Sequence, residues 1–314
     1  MNSFLVSELR VLYERNSQLE HKMSTTNTLN LSKASKNGTT KAKRIVIQGY
    51  PGAFHEMAAR FYFEDTPVEI IPADSFHELV ELVEDPEMAD VGMMAIENTL
   101  AGGILPNHKL INNSSLHITG EIYLRVVQNL MVLPGQKIED ITEVHSHYMA
   151  IRQCRKYFSQ YPHIRLIESL DTALSAKDIR DGNIKGRGAI ASNLAAEMYG
   201  LDILGPSIET NKQNYTRFLV LQHQDFSGND ANKVDKASIS FTTSHDAGSL
   251  NKVLSVLAAY NVNLSKIQSV PIEGRHWEYM FFVDLTAESS LRLDQALNAI
   301  RPICSNLKVL GLYQ

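Results

Sequence analysis

The chain has 314 residues, room for about two domains of ordinary size, and its 44% hydrophobic and 21% charged residues are the composition of a globular protein. A net charge of −5 and a pI near 6.1 give no field that would gather nucleic acid or an anionic membrane, so an anionic ligand has to be held by local groups. Only two cysteines occur, Cys154 and Cys304, which excludes a disulfide framework and a thiolate metal cage and points to a reducing, cytoplasmic setting; no apolar run approaches the ~20 residues of a membrane span.

The first segment reads differently from the rest. Leu5, Leu9, Leu12 and Leu19 lie near helical spacing and predict one amphipathic helix. Residues 22–43 are then rich in Ser, Thr, Asn and Lys with almost no large apolar side chains, the composition of a disordered linker. Glu8, Glu14 and Glu20 argue against an organelle transit peptide, and Met23 offers an alternative start. Residues 1–43 are accordingly set outside the fold, as an extension.

Ordered structure is predicted to begin at "RIVIQG", a short buried strand closed by "GYPG". A helix over "AFHEMAARFYF", a strand "VEIIPA", a helix "SFHELVELVED" and a strand "ADVGMMAIEN" follow. After "LRVVQNLMVLP" the pattern restarts: helix "MAIRQCRKYF", strand "IRLIES", helix "DTALSAKDIRD", strand "GAIAS", helix "NLAAEMYG" and strand "LDILG". Strands alternating with helices of this length predict βαβ units, here two α/β lobes, with "TRFLVL" returning the chain to the first. A polar spacer at 223–235 separates a different order. "KASISFTT", "GSLNKVLSVLAAYN", "NLSKIQSVPI", "WEYMFFVDL", "RLDQALNAIRPI" and "LKVLGLY" give βαββαβ, the ferredoxin-like plan.

In open α/β sheets, ligands sit beyond the carboxyl ends of strands, which selects the turns "GYPGAF", "ENTLAGG" and "ES" at 168–169. Each could aim backbone N–H groups at an anion, although "GYPG" lacks the GxGxxG spacing and there is no Walker lysine. His145 and His147 would share one face of a strand, but no third ligand accompanies them, and a packed or surface pair accounts for them without zinc. Glu97, Asn98 and Glu168 end apolar strands, where a carboxylate is either solvated or turned into a cleft. In "NYTRFLVL" the polar Asn214, Tyr215, Thr216 and Arg217 mark either a solvated strand end or the wall of a site.

These pieces, in this order, resemble prephenate dehydratase followed by an ACT regulatory domain. The resemblance runs from about Arg44 to the C-terminus and is carried by "GYPGAF", "AIENTLAGG", "GE" at Gly120 and Glu121, "HSHYMAIRQC", "ES", "AIAS", "YGLDIL" and "NYTRF". It implies a two-lobed catalytic domain like a periplasmic binding protein over 44–225, and an ACT domain over 236–314. The implied reaction converts prephenate to phenylpyruvate without cofactor or metal, under feedback by L-phenylalanine, in a homodimer or homotetramer. Transfer of the motifs implies catalytic roles for Thr216, Glu97, Asn98, Ser146, Gln153 and Glu168. It implies substrate contacts for Arg217, Phe218 and Gly102, with Arg217 either pairing a substrate carboxylate or holding the motif. Effector contacts are implied at Gly248, Ser249, Leu250, Gln268 and Ser269. Departures from the family pattern include Ala53 and His55 in the first turn, Asp171 and Thr172 where small hydroxyls are common, and "QSVP" in place of an Glu-Ser-Arg-Pro motif. Arogenate dehydratase and a non-catalytic sensor of aromatic ligands are the alternatives to weigh.

Overall fold

The computed structural model describes residues 41–223, 234–272, 274–275 and 278–314. The helix expected at 5–19, nearly all of the linker and most of the 223–235 spacer lie outside the described residues.

In chain order the first lobe contains β1 (Lys43–Gln48), α1 (Phe54–Tyr62), β2 (Val68–Ala73), α2 (Phe76–Glu84), β3 (Val91–Asn98), the two-residue β4 (Gly102–Gly103), α3 (Leu105–Asn113) and β5 (His117–Arg125). The second contains β6 (Asn129–Val132), β7 (Glu143–His147), α4 (Tyr148–Phe158), β8 (Arg165–Ser169), α5 (Thr172–Asp181), β9 (Arg187–Ala191), α6 (Asn193–Tyr199) and β10 (Asp202–Gly205). Then come β11 (Tyr215–Gln222) and the third unit: β12 (Lys236–Thr242), α7 (Ser249–Ala259), β13 (Asn263–Pro271), β14 (Tyr279–Thr286), α8 (Ser290–Ile300) and β15 (Ser305–Tyr313). The first strand starts one residue before the expected boundary at 44, because the Lys43 amide already bonds the Pro67 carbonyl.

Three sheets result, ordered β2-β1-β3-β11-β5, β10-β6-β9-β7-β8 and β13-β14-β12-β15, with β4 attached to β3. In the first, β1 is parallel to β2 and β3, while β11 inserts antiparallel between β3 and β5. The return of "TRFLVL" to the first lobe is therefore literal: the last strand of the catalytic unit lies inside its first sheet. β3 is apolar on both faces because both are covered. Against one face pack Met57, Ala58 and Ala59 of α1; against the other lie Leu79 and Val83 of α2. Gly92 admits that second helix, since a Cβ there would come within 3.0 Å of Leu79. Caps set the helix starts by sequence: Ser75, Asp171 and Ser192 each accept an amide from the first turn of α2, α5 and α6.

The third unit has its own core around Ile239, Phe241, Val253, Leu257, Leu285 and Leu293. It is also fused to the first lobe. Phe282, Leu310 and Tyr313 share one buried cluster with Leu116, Ile118 and Leu219. At that seam β15 lies so close to β5 that a Cβ on Gly311 would stand 2.0 Å from the Ile118 carbonyl oxygen, a distance only glycine permits.

Candidate active site

β3 and β11 pair with Thr216 opposite Asn98 and Arg217 opposite Glu97. Side chains alternate along a strand, so each pair takes one face of the sheet. On the Thr216 face the Asn98 amide is oriented by its own turn: Oδ1 accepts the Leu100 and Ala101 amides at 2.9 and 3.0 Å. Its Nδ2 therefore donates to Thr216 Oγ1 at 3.0 Å and to Asn214 Oδ1 at 2.8 Å. Asn214, fully buried, passes the chain on, its Nδ2 donating to Gln153 Oε1 at 3.0 Å. Gln153 stands on α4 of the second lobe, so one run of uncharged side chains crosses from lobe to lobe. Thr216 is used as an acceptor toward Asn98, which leaves its proton free to be aimed elsewhere and polarises it for donation.

The opposite face is ionic. Arg217 is buried and donates to Glu121 at 2.6 Å, to Asp284 of β14, and to the Tyr313 hydroxyl at 3.0 Å. Burial alone would lower its pKa, but the Glu121 and Asp284 carboxylates more than reverse this and hold it well above the ordinary value. Asp284 is pushed up by burial and brought below its usual range by Arg217 and the Ser238 hydroxyl. Lys236 completes the group on Glu121 at 2.8 Å. Glu97 also faces this side, where Lys266 of β13 binds it at 2.9 Å.

This placement bears on several expected roles. Arg217 and Glu97 point away from Thr216 and join the third unit to the first lobe, which favours the reading in which Arg217 holds the motif. Phe218 is core, packed edge-on to His55 with ring centroids 5.0 Å apart. Ser146 is fully buried on β7 and spends its proton on the Ile190 carbonyl oxygen at 2.6 Å, which ties β7 to β9 and leaves no donor for a ligand. Glu168 is exposed at the end of β8, in register with Ser146. Gly102 pairs with Asn98 with φ +82°, letting the hairpin after β3 turn tightly. The "GYPGAF" amides expected to meet an anion are partly spoken for: Glu56 accepts the Gly52 N–H at 2.7 Å and Ala53 N–H bonds Tyr50.

The two lobes meet along that turn. Ser192 donates to the Gly52 carbonyl at 2.6 Å and Tyr199 to the Pro51 carbonyl at 2.7 Å. Asp171 approaches Gly49 from the second lobe. His145 bonds Glu143 rather than pairing with His147, which instead accepts the Met149 amide at the start of α4. Among the described residues no group of three or more His, Cys, Asp or Glu is placed to hold a metal ion.

In the third unit, a cavity of about 480 Å³ is lined by residues that include Gly248, Ser249, Leu250, Asp246, Tyr279 and Phe281. Gln268 and Ser269 are not among them. Gln268 instead approaches Gly103 of the first lobe, beside Lys266. Sequence reasoning also passed over Asn214 as a site residue, although it begins the very motif that drew attention. Its signal was an amide immediately before a buried strand, which a core accepts only when paired.

A family model for prephenate dehydratase matches residues 45–226, and one for the ACT domain matches 238–301. An arogenate dehydratase/prephenate dehydratase of Arabidopsis thaliana, named as chloroplastic, is 34% identical over 294 residues, covering 89% of this chain and 74% of its own length. Among solved structures, GqqA, titled a novel type of quorum quenching acylase, superposes with a TM-score of 0.78 at 29% identity, over 86% of this chain and 97% of that one. Prephenate dehydratase from Arthrobacter aurescens in complex with L-Phe gives a TM-score of 0.75 at 26% identity, over 86% and 89%.

Proposed function

The chain belongs to the prephenate dehydratase family, and from that premise we propose that it converts prephenate to phenylpyruvate with the Thr216 cluster as its catalytic centre. The observation that carries the reading is the Asn98 amide donating to Thr216 Oγ1, which frees the threonine proton for a substrate oxygen. Prephenate is a cyclohexadiene with a carboxylate at one ring carbon and a hydroxyl across the ring. The C–O bond to the hydroxyl breaks and takes up a proton to leave as water. The C–C bond to the ring carboxylate breaks, its electron pair enters the ring, and CO₂ departs. Aromatisation drives both steps, so the reaction calls for no electron sink. Thr216 is too weak an acid to surrender a proton outright; its role is a preorganised hydrogen bond to the leaving oxygen. Gln153, whose Oε1 is held by Asn214, has its Nε2 left for substrate oxygens. The absence of charge in this row suits a reaction in which a carboxylate must be lost, since a tight ion pair would hold it back.

The acylase activity named for GqqA gives no second reading of this site. Acyl transfer needs an activated nucleophile, and the neighbours of Thr216 are amides, not a base. L-Phenylalanine is proposed to bind the third unit at Gly248, Ser249 and Leu250, supported by the ACT match and by the L-Phe named in the Arthrobacter complex. A homodimer or homotetramer joined through this unit is proposed as well, with β13 standing at an edge of its sheet. A cytoplasmic location is proposed from the free Cys154 and Cys304; no helix among the described residues is long and apolar enough to cross a membrane. Incubating the purified protein with prephenate and following phenylpyruvate tests the main reading: turnover supports it, and binding without product would favour a sensor.

A further inference from the structure

Asp171 follows β8 and caps α5, its Oδ1 accepting the Leu174 amide at 2.9 Å. Capping occupies one oxygen. The other, Oδ2, is turned across the seam toward the first lobe, where a Cβ on Gly49 would lie 2.9 Å from it. The carboxyl is half-buried; burial raises its pKa, against the Leu174, Ala173 and Thr172 amides and His147, which favour the charge. Tyr199 feels the Asp171 charge together with those of Glu56 and Asp181, and Glu168 acts with Asp171 on His147, so the groups around this corner apart from His147 are acids.

A carboxylate held at a seam between lobes calls for a cationic partner. The Thr216 cluster offers none, because Asn98, Asn214 and Gln153 are neutral and Arg217 is committed to Glu121 and Asp284 on the opposite face. Nor does helix capping demand this residue, since serine or asparagine would cap as well. Gly49, beside Asp171, and Thr216 lie at the same end of the first sheet: Gly49 follows β1, β1 runs parallel to β3, and Thr216 stands opposite Asn98, the last residue of β3. Two strand spacings, roughly 10 Å, separate β1, which Gly49 follows, from β11, which carries Thr216. A six-membered ring with a three-carbon side chain, hydrogen-bonded at both ends, spans such a gap.

A substrate that places its ring hydroxyl at Thr216 therefore extends its side chain toward Asp171. In prephenate that side chain ends in a keto acid, which brings a second negative charge. In arogenate the keto oxygen is replaced by an ammonium. We infer that Asp171 is a specificity-determining residue, pairing with the α-ammonium of arogenate so that the site accepts the amino acid as well as the keto acid. This rests on the dehydratase reading above.

The test measures kcat/KM for prephenate and arogenate in the intact wild-type protein and in D171N and D171S, both of which retain a capping side chain. The inference expects the wild type to turn over arogenate, and the arogenate-to-prephenate ratio to fall about ten- to a hundredfold in each variant, mainly through the KM for arogenate. A purely structural loss would lower both substrates together and leave the ratio in place. A ratio that moves by less than about twofold in whichever variant folds, or a wild type that uses prephenate but not arogenate, overturns the inference while leaving the dehydratase reading intact. A wild type that uses neither substrate removes the underlying reading, and this inference with it.

Discussion

A buried primary amide brings two donors and an acceptor that need partners, and Asn214 places them on both sides of the crossing between lobes. Its side chain accepts from Asn98 and donates to Gln153, while its backbone carbonyl accepts the Val126 amide at 2.7 Å. Asn214→Leu should therefore do more than loosen the core. It leaves the Gln153 oxygen with only a long 3.5 Å contact from Gln128, at a cost of roughly 1–3 kcal/mol, and removes one of the two acceptors of the Asn98 Nδ2. Urea denaturation should register the first effect, and a loss of about 10²-fold in kcat the second; wild-type turnover in the folded variant would show that Asn98 is held without it. Two histidines set a pH limit. Burial holds His55 and His108 down at about 4. Unfolded histidine, with its ordinary pKa near 6.5, binds protons more readily, so the stability these groups contribute is full above about pH 6.5 and lost as pH falls toward 4. For His55 the loss comes to roughly 3 kcal/mol at pH 4. Unfolding free energies measured between pH 7 and 4 should fall on this slope, and His55→Phe should flatten it. A slope identical in the variant would contradict the assignment.

Strand periodicity explains what a linear motif conceals. Glu97 and Asn98 are neighbours in "AIEN", as are Thr216 and Arg217 in "NYTRF", yet in a strand neighbours face opposite ways. The rule was available from sequence and would have divided each pair; what sequence withheld was which member faces the cleft, because that depends on packing against a unit some 60 residues further on. β5 was not singled out as a strand for a similar reason. "HITGEIYLR" is interrupted by Gly120 and Glu121, and its partner β11 lies about a hundred positions away. α3 was missed because "LPNHKLINN" has little apolar periodicity. The ionic face makes its own prediction. Asp284 belongs to the third unit, yet it neutralises Arg217, the residue next to Thr216. Removing one partner of such a buried group typically costs roughly 3–5 kcal/mol. Asp284→Ala should lower the denaturation midpoint and also reduce kcat in a site that contains no atom of that unit. A variant with wild-type midpoint and wild-type kcat would mean that the third unit does not hold β11.

At the scale of the molecule, two α/β lobes, a returning strand and a βαββαβ unit were each written in local patterns, β5 and α3 excepted. Their contacts were not. Lys266 and Gln268 of β13 reach Glu97 and Gly103, and so touch the loop whose amides orient Asn98. An effector that moves β13 therefore has a short physical route to Thr216. Calorimetry on the intact protein should show L-phenylalanine binding, and Gly248→Ala should weaken it about fivefold, because φ +83° at the start of α7 is strained for any residue with a Cβ. Absence of binding heat in the wild type would leave the third unit with the structural role alone. The proposed chemistry centres on Thr216, and the most direct measurement is kcat for phenylpyruvate formation from prephenate in wild type, Thr216→Ala and Thr216→Ser, with folding checked in each. A preorganised donor at the leaving oxygen predicts a loss of about 10²–10³ in kcat for alanine with KM little changed, and a much smaller loss for serine. Half or more of wild-type turnover in Thr216→Ala would contradict it.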